Sequence, residues 1–417
     1  MGDFIDDIFV ARQPIFDTGQ NLFGYELLYR NSFTSGYEGA DGTSATLDVL
    51  RNAFLLLGHQ LTGSKKAFIN FNRDLLEKRS ALSLRPESTV IEILEDVEGD
   101  HAVLEACREL KQAGYTIALD DFTLHNDRSK PLLDLVDIVK VDFRPMSREE
   151  RRAVVTSYGK KSIQFLAEKV ETPEEFAEAC EDGYHYFQGY FFGKPVIVSA
   201  KSIPGTKLNY LRMLSEINEK ELNFAKLEKI IMQDPYFSYT LLNYMNSAYF
   251  GFRDHISSIR QALVLLGEHE VRRWASLVIL TFIGADKPAE VVITSLIRAK
   301  FCELLAMEVD LEGNASELFM VGMFSMLDVL IGRPLEETLD KINLSTDIKE
   351  AICLGGNRYG DVLLLVKLYE RARWEDVSKA AAKLDIGEKK VPAAYRQAVE
   401  WAEQVLQTES SKAAPNN

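Results

Sequence analysis

Two adjacent carboxylates, Asp120 and Asp121, close the apolar run Thr116-Ile117-Ala118-Leu119. Neighbouring acids repel and are costly to bury. Such a pair is either solvated at a strand–loop junction or gathered around a divalent cation. Further polar residues recur at the ends of apolar runs: Glu26 in LFGYE, Asn70 in FINF, Glu92 in VIEIL, Lys140 and Asp142 in IVKVD, Glu168 in FLAE and Gln188 in YFQGY. From Glu92 through Asp120, Lys140 and Glu168 to Gln188 the intervals are 28, 20, 28 and 20 residues, about one strand–helix unit each. Carboxylates, amides and a lysine brought to one place suit a hard cation and an anionic ligand. One or two such residues would reflect the ordinary polarity of strand ends. A full series, with Glu92 inside an apolar strand, points to a binding site.

The elements that must position them alternate over residues 1–200. Strands are expected at 8–15, 22–30, 66–71, 89–94, 116–122, 137–143, 162–168 and 184–192. Between them, 46–58, 102–114, 147–159 and 172–183 have helical periodicity and end on Gly58, Gly114, Gly159 and Gly183. Ser147 and Thr172 read as helix caps, with Pro173 at a first helical position. Continuous apolar strands joined by helices imply a parallel sheet covered on its faces. About eight strands in about 200 residues predict a (β/α) barrel, whose C-terminal strand ends share one mouth. Around 196–207 the pattern changes at Ser199, Ser202, Pro204 and Gly205. Beyond it strand signals vanish and roughly ten helical segments follow. The expected division is a barrel over 1–199, an all-α domain over 200–407 and a disordered tail over 408–417.

At 417 residues the chain accommodates two domains. A formal charge of −15 argues against nucleic-acid or anionic-membrane partners. Cys107, Cys180, Cys302 and Cys353 are widely spaced with no CxxC pair, which predicts reduced core thiols rather than disulfides or zinc. The acidic start MGDFIDDIFVARQP has no signal-peptide pattern, and the apolar run 275–285 is too short to span a bilayer. A cytoplasmic protein is expected.

The N-terminal motifs resemble the EAL domain, the family of cyclic di-GMP phosphodiesterases. They read QPI (13–15), GYELLYR (24–30), NFN (70–72), EILE (92–95), DDFTL (120–124), KVD (140–142), AEKVET (167–172) and QGY (188–190), in the family's order. The resemblance implies that Glu26, Asn70, Glu92 and Asp120 ligate metal and that Asp121 helps hold a second ion. It implies that Lys140 orients or activates the attacking water, that Glu168 and Gln188 complete the catalytic shell, and that Arg30 and Gln13 bind the ligand. Mg²⁺ or Mn²⁺ is the implied cofactor, in keeping with an all-oxygen shell. The second acid of the ExxE pair, Glu95, is present. Two departures stand out. The family glycine of AEGVE is Lys169, and the Gly- and Ser-rich loop after the acid pair is Phe122-Thr123-Leu124-His125-Asn126-Asp127-Arg128. Without those glycines the family's turns are not cheaply copied.

The stretch 241–267, with LLNYMNSAYFG and SIRQALVLLG, resembles the HDOD domain, a helical relative of HD phosphohydrolases without their metal ligands. His255 and His269 stand alone, and Gly322 to Asp328 occupies the place of a His-Asp doublet. Arg272-Arg273-Trp274 reads as a solvated helix face. The aromatic residues of 236–252 and Met320, Met323 and Met326 read as core filling. The expected function is a signalling regulator: the barrel binds cyclic di-GMP, metal or both with weak or absent hydrolysis, and the HDOD domain engages an unidentified signalling protein. The alternative is an active metal-dependent phosphodiesterase producing pGpG, and a homodimer is an arrangement the resemblance allows.

Overall fold

The computed structural model describes residues 9–30, 61–124, 128–159, 162–189, 205–219, 221–233, 235–246, 250, 255–342, 344–387 and 389–413. Eight strands close a barrel in sequence order: β1 Phe9–Asp17, β2 Leu22–Arg30, β3 Lys66–Phe71, β4 Thr89–Ile93, β5 Thr116–Leu119, β6 Ile138–Asp142, β7 Gln164–Glu168 and β8 Tyr186–Gln188. The barrel is not wholly parallel. β1 runs antiparallel to both β2 and β8, while every other pairing is parallel. The cause is the short β1–β2 turn, which cannot cross over as a parallel connection must. Asp17 fixes that turn by accepting from the backbone N–H of Gly19 and Asn21, both at 2.9 Å.

Helices α1 Arg73–Glu77, α2 His101–Gln112, α3 Arg148–Tyr158 and α4 Pro173–Asp182 connect the strands. Local chemistry sets their ends. Asn72 and Asp100 cap α1 and α2, while α3 and α4 start on full capping boxes, Ser147 with Glu150 and Thr172 with Glu175. Each cap contributes about 1 kcal/mol. Gly183 ends α4 in the left-handed region at φ 94°. The expected helix at 46–58 lies outside the described residues.

Inside the barrel, Ile15, Phe68, Val90, Ala118, Ile138 and Leu166 form one buried layer, with Phe23 and Tyr186 packed against it. Strand side chains alternate, so residues two positions further along point inward again, one layer higher. From Phe68, Val90, Ala118, Ile138, Leu166 and Tyr186 that step reaches Asn70, Glu92, Asp120, Lys140, Glu168 and Gln188. On antiparallel β1 the step runs backwards, from Ile15 to Gln13, which pairs with Glu26 across to β2. The apolar layer is therefore the floor of the polar one.

From Gly205 the described residues form only helices. The helix Ile259–Ile283 breaks at Gly267, where φ is 73°. The chain divides into two compact units, residues 1–194 with 364–417, and 195–363. This differs from the expected boundaries, because periodicity identifies a helix without saying which core its apolar face joins. Within the first unit, Tyr369 donates to the Val10 carbonyl at 3.3 Å and Arg12 pairs with Glu403 at 3.3 Å. The last helix, Lys390–Ala413, also runs into the expected tail, whose residues 408–413 contain neither proline nor glycine. Among the described residues no helix is long and apolar enough to cross a membrane.

Cys107, on the inner face of α2, is fully buried, and burial pushes its thiol up to about 11 from an ordinary 9.0. Between those values the unfolded chain ionises this thiol and the folded one does not. Stability therefore falls as pH rises across that window. In thermal melts, Cys107→Ala loses less stability than wild type between pH 9 and pH 10.5. Equal losses in the two proteins would contradict the assignment.

Candidate metal centre in the barrel mouth

The polar layer brings one residue from, or directly after, each of the eight strands into one mouth: Gln13, Glu26, Asn70, Glu92, Asp120, Lys140, Glu168 and Gln188. Lys140 is its centre and is 1 % exposed. Its Nζ lies 2.8 Å from Glu168, 3.1 Å from Asp120 and 3.4 Å from Glu26, and it is in contact with Glu92. Gln188 Nε2 donates to Glu26 at 2.6 Å and to Gln13 at 3.0 Å. Asn70 Nδ2 donates to Glu26 at 3.3 Å.

The electrostatics follow from four acids around one buried ammonium. Burial raises Glu92 well above the ordinary carboxyl range and repulsion from Glu26 adds to it, while Lys140 opposes. Burial lifts Glu168 to about 8 against the pull of Lys140. Lys140 itself is raised because its four carboxylates outweigh the opposing effect of burial. One cation does not satisfy this shell. Among the described residues, five buried oxygens of the mouth meet no hydrogen-bond donor: Asn70 Oδ1, Glu92 Oε2, Asp120 Oδ1, Asp121 Oδ1 and Gln188 Oε1. Asp120 Oδ1 is within ion-pair distance of Lys140 but off the direction of a hydrogen bond. Unpartnered buried acceptors of this kind are rare in native proteins and mark the place of a missing donor or cation. The residues fit a divalent metal, and their oxygen donors suit Mg²⁺ or Mn²⁺.

The acid pair is held on both sides by backbone. The Asp120 N–H donates to Ile93 and the Phe122 N–H to Lys140, both at 2.9 Å, and Phe122 is buried. Asp121 between them sits at φ 40°, an unfavourable conformation for a residue with a side chain, fixed where it faces the mouth. Loss of the family's glycines leaves this anchor in place. Residues 125–127 of the altered loop lie outside the described residues.

The structure adds Glu95 to the set. One oxygen each from Glu95, Asp120 and Asp121 lie within 4.8 Å of one another, the spacing of a shared cation. Its signal in the sequence was the ExxE spacing from Glu92. Gln13 reaches the site by supporting Gln188. Arg30 ends β2 opposite Phe9, and its side chain is outside the described residues. Gly189 follows Gln188 at φ 146°, where a Cβ would stand 2.1 Å from the Val170 carbonyl oxygen; this close approach requires the glycine of QGY.

In the helical unit, His269 contacts Ser316 and lies 3.4 Å from Glu270. Arg272 and Arg273 pair with Glu268 and Glu303. Met320, Met323 and Met326 are buried. Gly322 allows a close helix crossing, because a Cβ there would meet the Arg298 carbonyl at 2.4 Å. The methionines are packing, whereas His269, Arg272 and Arg273 line a cavity of about 640 Å³ together with Glu303 and Ser316. Among the described residues the carboxylate group with metal-binding spacing is the one in the barrel mouth.

Residues 45–195 match the EAL domain and residues 203–346 match the HDOD domain. Two relatives align over nearly the whole chain. The uncharacterized protein YuxH of Bacillus subtilis (strain 168) is 38% identical over 409 residues, covering 96% of this chain and 99% of its own. The cyclic di-GMP phosphodiesterase CdgJ of Vibrio cholerae serotype O1 is 33% identical over 402 residues, covering 95% and 93%. Among solved structures, a standalone versatile EAL protein from Vibrio cholerae O395, bound to c-di-GMP, is 25% identical with a TM-score of 0.37, covering 45% of this chain and 92% of that one.

Proposed function

The chain belongs to the family of proteins that join an EAL domain to an HDOD domain, and from that membership we propose that its barrel binds cyclic di-GMP with Mg²⁺ or Mn²⁺ and opens it slowly to pGpG. The observation that carries this reading is the set of unpartnered, buried oxygens on Asn70, Glu92, Asp120, Asp121 and Gln188, converging where the candidate ligands meet. The full-length likeness to a cyclic di-GMP phosphodiesterase supports the choice of substrate. The helical unit is the output module and passes the bound state to a protein partner. Among its described residues no His, Cys, Asp and Glu group has metal-binding spacing.

Ring opening requires a water placed in line with a phosphorus atom and charge stabilisation on the phosphoryl oxygens. A divalent cation, when bound, lowers the pKa of the attacking water and offsets the developing charge. Glu26, Asn70, Glu92 and Asp120 would hold it through their oxygens. Lys140 presents a fixed positive charge to the anionic phosphodiester, and its four carboxylates keep that charge in place. Gln188 has both donor directions occupied by Glu26 and Gln13, so its Oε1 is left aimed to accept from a water. The buried floor beneath the ring excludes bulk solvent from below.

The test incubates the full chain with cyclic di-GMP and Mn²⁺ and measures binding and linear product together. Metal-dependent pGpG is expected, at least about 100-fold reduced in Glu26→Ala, which removes a metal oxygen and the acceptor of both Asn70 and Gln188. Binding without any product would reject hydrolysis, and absence of both would reject the reading of the mouth.

A further inference from the structure

Lys169 directly follows the last residue of β7, at φ 55°, in a region of backbone space that suits glycine and strains a side-chain-bearing residue. Its ammonium is paired with Asp142 at the end of neighbouring β6. It also acts electrostatically on Asp121 and Glu168. The side chain of Lys169 is 44% exposed and that of Asp142 15%, so the pair lies at the rim, above the buried ring around Lys140. On the same side of the mouth are the clustered oxygens of Glu95, Asp120 and Asp121, with the buried Asp121 Oδ1 unpartnered. A fixed ammonium beside that cluster offsets part of its negative charge and repels an incoming dication in a partly desolvated site.

We propose that Lys169 acts as a built-in cation that guards the Glu95–Asp120–Asp121 side of the mouth, so that the barrel takes one divalent ion tightly on the Glu26–Asn70–Glu92–Asp120 side and a second about tenfold or more weakly. This rests on the metal-binding reading given above and adds the stoichiometry and its cause. Slow turnover follows from it, because the second ion arrives only at high metal concentration or when the Lys169–Asp142 pair opens. The backbone strain at Lys169 is then the local cost of keeping a positive charge where a glycine would fit.

The experiment is Mn²⁺ titration of the full chain without nucleotide, followed by calorimetry and by Mn²⁺ electron paramagnetic resonance, which separates isolated ions from spin-coupled pairs. Wild type is expected to show one tight site with an isolated-ion spectrum, and a second event at about tenfold higher Mn²⁺. Lys169→Gly suits the positive φ, and Lys169→Met keeps a side chain of similar reach without the charge. Both are expected to tighten the second event about tenfold and to show coupled pairs at lower Mn²⁺, while Lys169→Arg behaves as wild type. Two equally tight ions in wild type, or no change in Lys169→Gly and Lys169→Met, would overturn the proposal and leave the metal-binding reading standing. No Mn²⁺ binding in any of the proteins would remove both.

Discussion

Lys140→Met is expected to destabilise the metal-free barrel by about 3–5 kcal/mol, because it removes one partner of a buried ion network and leaves the others. Lys140 is the fully buried ammonium facing Glu26, Glu92, Asp120 and Glu168. Methionine matches its length and apolar stem, so the lost charge dominates the loss. Two of the four acids already sit above the ordinary carboxyl range with the lysine in place. Without it they remain buried only by taking up protons. In EDTA the melting temperature of the barrel is expected to drop by roughly 10 °C. Added Mn²⁺ should restore more stability to the variant than to wild type, since a dication returns positive charge to the ring. A melting temperature within about 1 °C of wild type in EDTA would show that Lys140 does not hold the ring together.

Asp120→Asn is expected to leave stability unharmed and to weaken metal binding strongly. Asp120 faces Lys140 at 3.1 Å and is also a member of the Glu95–Asp120–Asp121 group, so it serves both sides of the mouth. Asparagine keeps its size and removes one negative charge from a crowded acidic site. The metal-free protein should melt at the same temperature or higher. Mn²⁺ affinity should fall by on the order of 100-fold or more, and metal-dependent product with it, beyond the range typical of losing a residue that merely supports a ligand. Unchanged Mn²⁺ affinity would displace Asp120 from the centre of the site. Together the two substitutions separate the group that balances the acidic ring from one proposed to ligate a metal there.

Much of the site was legible because strand chemistry is local. The two-residue alternation that buries Phe68, Val90, Ala118, Ile138 and Leu166 also aims Asn70, Glu92, Asp120, Lys140 and Glu168 into the layer above. Polar residues in that register stood out against apolar runs. The antiparallel β1 was not legible from periodicity, which is the same in either direction. The Asp17 turn settles it by leaving no chain for a crossover. The return of the C-terminal helices to the barrel unit was hidden for a related reason. Tyr369 and Glu403 show helical spacing, but nothing local tells that they meet Val10 and Arg12.

The sequence by itself determined the ring's membership, its oxygen-rich chemistry and the two departures at Lys169 and after Asp121, because residue type and spacing set what each strand can present. Only the tertiary structure decided how those groups share charge. It set the buried Lys140 ammonium among four acids, left five oxygens without donors among the described residues, added Glu95 to the acid pair and tied Lys169 to Asp142. The physical reason is that charge balance depends on distances between strands far apart in sequence. Barrel closure fixes those distances, and no pattern along one strand records them.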